Sequence, residues 1–92
     1  MVPPMRTRDD IGAAAEEFYD KVWYDRHQSL KAQTKSGEEK LVHQGEFAAR
    51  RMEAQYGKDN LGPYDDFEWG MINGKLSALR WVLGEEWDML DT

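Results

Sequence analysis

Carboxylates come first among the side chains that could do chemistry. Glu16, Glu17 and Asp20 share one helical face, and Glu85 and Asp88 repeat the spacing near the end of the chain. Clustered carboxylates can hold Mg²⁺, a hard cation that takes oxygen ligands, so a metal-dependent reading has to be weighed. The second pair, however, lies at the far end of the chain and follows Gly84, a helix stop, so the solvated-face reading is preferred. His27 and His43 are the only histidines, and neither has the Glu-x-x-His spacing of a di-iron bundle. There is no cysteine nucleophile. Ser29, Ser36 and Ser77 lack a G-x-S-x-G setting. Gly70-x-x-x-Gly74-Lys75 has no following Ser or Thr and falls inside a helical pattern, not between strand and helix.

One cluster carries a sharper possibility. In "YDKVWYDRH" the residues Tyr19, Trp23, Arg26 and His27 lie on one side of a helix. Aromatic faces beside an Arg can stack a base and pair its phosphate, at about 1–3 kcal/mol per stacked base. Lys75 and Arg80, the only bases of the C-terminal third, could join them as a small-anion or nucleotide site. The competing reading makes Trp23 core or interface and pairs Arg26 with Asp66 or Glu68.

These residues need helices to position them. Pro3 and Pro4 mark a loose arm, residues 1–8, ahead of one helical domain, residues 9–92. Thr7 or Asp9 caps a first helix running to about Lys35. Its apolar stripe is Ile11, Ala15, Phe18, Val22 and Leu30. Ser36 and Glu39 have capping-box spacing and open a second helix. Its stripe is thin: Leu41, Gly45, Ala48, Met52 and Tyr56. Glu46 and Arg50 are spaced for an ion pair on its outer face. Gly62 and Pro63 break the chain. Asp65 and Glu68 then cap a third helix, which stops at Gly84. Nothing alternates with period two. The fold expected is all-α, a three-helix hairpin or bundle, up-down-up, with a short C-terminal turn that packs Trp87 and Leu90 back on the body.

The third helix is unusual. Trp69, Ile72, Leu76, Leu79 and Leu83 form a seam in 3-4-3-4 steps. Phe67, Met71, Gly74, Ala78 and Trp81 form a second stripe. Gly70 and Gly74 sit inside it, where each costs roughly 1 kcal/mol against Ala. A helix apolar on more than one face is buried on more than one side, and small residues four apart let another helix backbone come close. Either the first helix of the same chain fills that groove or a second chain does. The candidate interface is Trp69, Gly70, Ile72, Gly74, Leu76, Ala78, Leu79, Trp81 and Leu83.

Size points the same way. The chain has 92 residues and no cysteine. So short a chain buries only about 60–65% of its unfolded surface, and oligomerisation is a common remedy where disulfides and metals are absent. The net charge is −6, of which residues 65–92 carry −5. That sign disfavours nucleic acid and anionic membrane as partners. No apolar run suggests a signal peptide or a membrane span, so the default is a cytoplasmic protein.

Two resemblances can be drawn. "GPYDDFEWGMINGKLSALRWVLGEEWDMLDT" resembles the ending of short uncharacterised prokaryotic or phage helical proteins, which implies no activity and no site residues. The two acidic groups are distantly similar to the paired motifs of the all-α NTP pyrophosphohydrolases of the MazG type, but those lie on successive helices and these do not. The sequence therefore reads as a non-catalytic, homo-oligomeric binding or adaptor module. It needs no cofactor, and its partners would be itself and, as a further option, another protein. A small-anion or nucleotide-binding regulator is the alternative, and a metal-dependent nucleotide hydrolase comes third.

Overall fold

A computed structural model describes residues 2–33 and 39–87. It contains three helices and, among the described residues, no strand: α1 (Arg8–Ala32), α2 (Glu39–Tyr56) and α3 (Asp66–Val82), with one 3-10 turn at Lys58–Asn60. The all-α three-helix bundle expected from the sequence is the fold observed. The expected end of the first helix near Lys35, the Ser36–Glu39 cap and the packing of Leu90 lie outside the described residues and side chains.

Local chemistry sets the helix ends. The Thr7 hydroxyl accepts from the Asp10 N–H at 3.1 Å, and the Asp10 carboxylate accepts from the Thr7 N–H at 3.1 Å. Two otherwise unpaired donors of the first turn are thereby satisfied, which fixes the start of α1 at Arg8. Asp65 and Glu68 do the same for α3, at 2.8 and 3.1 Å. At the other end of α3, Gly84 takes φ +108°. Its N–H donates to the Trp81 carbonyl, and that of Glu85 to the Arg80 carbonyl. This pair of closing bonds ends a helix where glycine supplies the left-handed residue.

α1 is a spine, and the later helices pack on it and, among the described residues, not on each other. Side-chain bonds register α2, among them His27 with Glu46, Tyr24 with Glu53, and Tyr56 with Asp20. Numbers fall along α1 as they rise along α2, so the two are antiparallel. The link after α2 doubles back. Gly57 and Gly62 both hold positive φ, +84° and +100°, as a sharp reversal requires. It brings Leu61, Gly62 and Pro63 beside Gln28, Ser29 and Ala32. From there α3 descends until Leu79 lies beside Ile11, Ala13 and Ala14. Both covering helices thus run antiparallel to α1, on different faces, so the order is up-down-down and not the up-down-up expected, because the link after α2 carries the chain back to the C-terminal half of α1 before α3 begins.

The core is small. The buried apolar residues are Ala15, Val22, Tyr24, Ala49, Met52, Leu61 and Leu76. Tyr24, Ala49, Met52 and Leu61 form one cluster, flanked by Trp23 and Tyr56. Leu76 is the buried centre of the α3 seam. Trp69, Ile72, Leu79 and Leu83 around it are half-buried.

Candidate functional site

The aromatic and basic cluster divides between two packing faces. On the α2 side, the Trp23 and His27 rings stack, with centroids 4.9 Å apart and planes 9° apart. His27 is buried, and its Nε2 lies 3.1 Å from Glu46 Oε1. Lys31 Nζ lies 2.9 Å from the same oxygen. The Glu46 carboxyl is held below its usual range by the hydrogen bonds from Lys31 and His27. Glu46 thus bridges to α1, not to Arg50 as its spacing suggested. Gly45 explains how the imidazole fits: a Cβ there would stand 2.6 Å from His27 Cε1 and 2.8 Å from Nδ1. The second helix contains a glycine because a buried ring occupies the space a side chain would need.

On the α3 side, the Arg80 guanidinium lies 5.7 Å over the Tyr19 ring, and Lys75 Nζ lies 5.6 Å over Phe18. These cation–π contacts fasten α3 to α1. Trp23, Arg26 and His27, with Leu30, line a shallow depression of about 230 Å³. Tyr19, Lys75 and Arg80 do not line it. The six residues expected to converge on an anion therefore fall into a shallow trio and two intrachain cation–aromatic pairs. Arg26 is exposed.

The acidic motif is used in packing. Glu17 pairs with Lys21 at 2.9 Å, and Asp20 is buried and accepts from the Tyr56 hydroxyl at 2.7 Å. Tyr24 donates to Glu53 at 2.6 Å. Burial first, then the hydrogen bond to a carboxylate, pushes the Tyr24 hydroxyl up to about 12 and drives Tyr56 further in the same direction. Among the described residues no three His, Asp or Glu side chains are grouped to hold a metal ion. No described helix is long and apolar enough to cross a membrane.

The outer face of α3 is the most distinctive surface. Opposite the Leu76 seam, Phe67 is 75% exposed, Met71 45%, Trp81 50% and Val82 53%. Gly70, Gly74 and Ala78 are exposed between them. At 3.6 residues per turn these seven fall on one continuous arc. A Cβ added at Gly70 or Gly74 would meet nothing within 4 Å, so α1 does not fill the small-residue groove. Trp87 folds back and stacks on Trp81, with centroids 5.0 Å apart, and is itself 56% exposed. Of the nine candidate interface residues, Gly70, Gly74, Ala78 and Trp81 lie on this arc. Leu76 is buried against α1, with Trp69, Ile72, Leu79 and Leu83 around it. Phe67, Met71 and Val82 complete the arc. The first two were visible in the sequence as the second stripe, and Val82 follows from the same periodicity.

No protein family, no characterised protein and no solved structure matches the chain.

Proposed function

We propose that the protein is a self-associating binding module whose contact surface is the outer face of α3, with a second copy of the chain as its occupant. The observation that carries this reading is the uncovered arc from Phe67 to Val82, lying directly opposite a seam that is already satisfied. An apolar face of that extent, flanked by Glu68, Lys75 and Asp66, is the signature of an interaction surface.

Area supports the same reading. The chain exposes 7571 Å². A compact monomer of 10.7 kDa would expose about 5,500 Å². The exposed N-terminal arm and the exposed outer face of α3 both contribute to the excess of roughly 2,000 Å². A stable interface needs about 800 Å² from each partner, so the surplus is large enough for a dimer. With no catalytic constellation among the described residues, association itself is the activity proposed.

Two exposed aromatics separate this surface from the rest. Phe67 lies on the arc, while Phe47, 82% exposed, lies on α2. In native mass spectrometry, Phe67→Glu is expected to release single chains and Phe47→Glu to leave the assembly intact. Equal behaviour of the two variants would remove α3 from the interface.

A further inference from the structure

The outer face is uneven along its length, and the unevenness carries a direction. Bulk lies at both ends, in Phe67 and in the stacked Trp81 and Trp87, and the centre at Gly74 is bare. The steps Phe67, Met71, Gly74, Ala78, Trp81 are 4-3-4-3, the spacing of a two-helix seam. Charge lies unequally at the ends. The first turn carries Asp65, Asp66 and Glu68 with no base. The last carries Arg80 as well as Glu85, 3.9 Å apart, followed by Glu86.

We propose that two copies pair through α3 in antiparallel fashion, with the two-fold axis passing at Gly74. This rests on the reading of α3 as the self-association surface and adds its geometry. A parallel pair would set three carboxylates of the first turn against the same three of the second copy. It would also align the two helix dipoles side by side. The antiparallel pair sets those three carboxylates beside an end where Arg80 offsets one of the two carboxylates Glu85 and Glu86, which lessens the like-charge repulsion, and it opposes the dipoles head to tail. Distance from Gly74 decides the packing: Phe67 and Trp81 each lie seven residues from it, and Met71 and Ala78 three and four. Phe67 meets the Trp81–Trp87 platform of the second copy, Met71 meets Ala78, and Gly74 meets Gly74, where the two backbones approach most closely. Large side chains thus face small ones in the middle of the seam, as close packing demands.

The natural chain has no cysteine, so disulfide trapping reads the register cleanly. A disulfide needs Cα atoms within about 7 Å. In the proposed pair, position 71 lies six residues from its own copy along the axis, about 9 Å before helix separation is added. Position 78 lies further still. The full-length Met71→Cys and Ala78→Cys proteins are oxidised separately and as an equimolar mixture, with their solution masses measured in parallel under reducing conditions. The expected result is a covalent dimer in the mixture, joining position 71 to position 78, and little from either protein alone. Cross-linking of each variant to itself, with no mixed product favoured, overturns the antiparallel register while leaving association standing. A dimeric mass with no cross-link in any sample likewise overturns the register. A single-chain mass under reducing conditions, shared by the unsubstituted protein, overturns the association on which the register rests.

Discussion

At the scale of single residues, α1 and α2 are joined by polar groups that face each other in pairs. A tyrosine on each helix donates to a carboxylate on the other: Tyr24 to Glu53 and Tyr56 to Asp20. Each such bond contributes about 1 kcal/mol net, while losing one partner of a buried pair costs more. Their titration gives the fold an alkaline limit. Because the Tyr24 pKa is raised from 10 to about 12 on folding, its contribution is complete below pH 10 and disappears as pH climbs through 12. Tyr56 shifts the same way. Circular dichroism against pH should therefore show helix loss setting in above pH 10, with Tyr24→Phe less stable at neutral pH and less sensitive in alkali. Parallel alkaline curves for the two proteins would mean that Tyr24 does not couple to folding. These pairs could not be read beforehand. Tyrosines and carboxylates are common on helix faces, and only the register of α2 on α1 decides which of them meet.

At the scale of helices, glycine means different things at different positions. Gly12, in α1, has nothing within 4 Å of a would-be Cβ, whereas Gly45 has a buried imidazole at 2.6 Å. Gly12→Ala should raise the melting temperature, as removing a mid-helix glycine contributes up to about 1 kcal/mol. Gly45→Ala should lower it despite the same propensity gain, because overpacking costs about 1–3 kcal/mol. Thermal unfolding of the two variants checks this, and a gain at both positions would show that His27 yields freely. The caps of α3, its stop at Gly84 and its inward seam were legible because each is written within a few residues: Asp65 with Glu68, glycine after the last apolar step, and leucines at 3-4 spacing. The up-down-up order expected of the three helices does not hold, because α3 runs antiparallel to α1. That direction is decided by residues 57–65, where Gly57 and Gly62 turn the chain back toward the C-terminal half of α1. Six residues that shared a helix face or a charge in the sequence did not form one site for a related reason. Two helices pack on different sides of α1 and draw Tyr19 and Trp23 into separate contacts.

At the scale of the molecule, α1 is a spine covered on two faces by helices that, among the described residues, do not pack on each other. The radius of gyration is 15.4 Å and the longest extent 57 Å, where a compact chain of this length would have a radius near 12 Å. Only small residues and a few large ones are buried, and α3 carries an apolar face on each side of its axis. One face is spent on α1. The other is exposed, and a Cβ at its glycines would meet nothing within 4 Å among the described residues. A second copy would bury that face and provide the central layer of a core that one chain builds only in part. Stability and association are then the same event, and dilution should lower both. Sedimentation equilibrium of the unsubstituted protein from sub-micromolar to tens of micromolar tests this most directly. The expected mass is twice 10.7 kDa at the upper end, falling toward one chain on dilution together with a loss of helical signal. A mass of 10.7 kDa at every concentration, with full helicity, would contradict it.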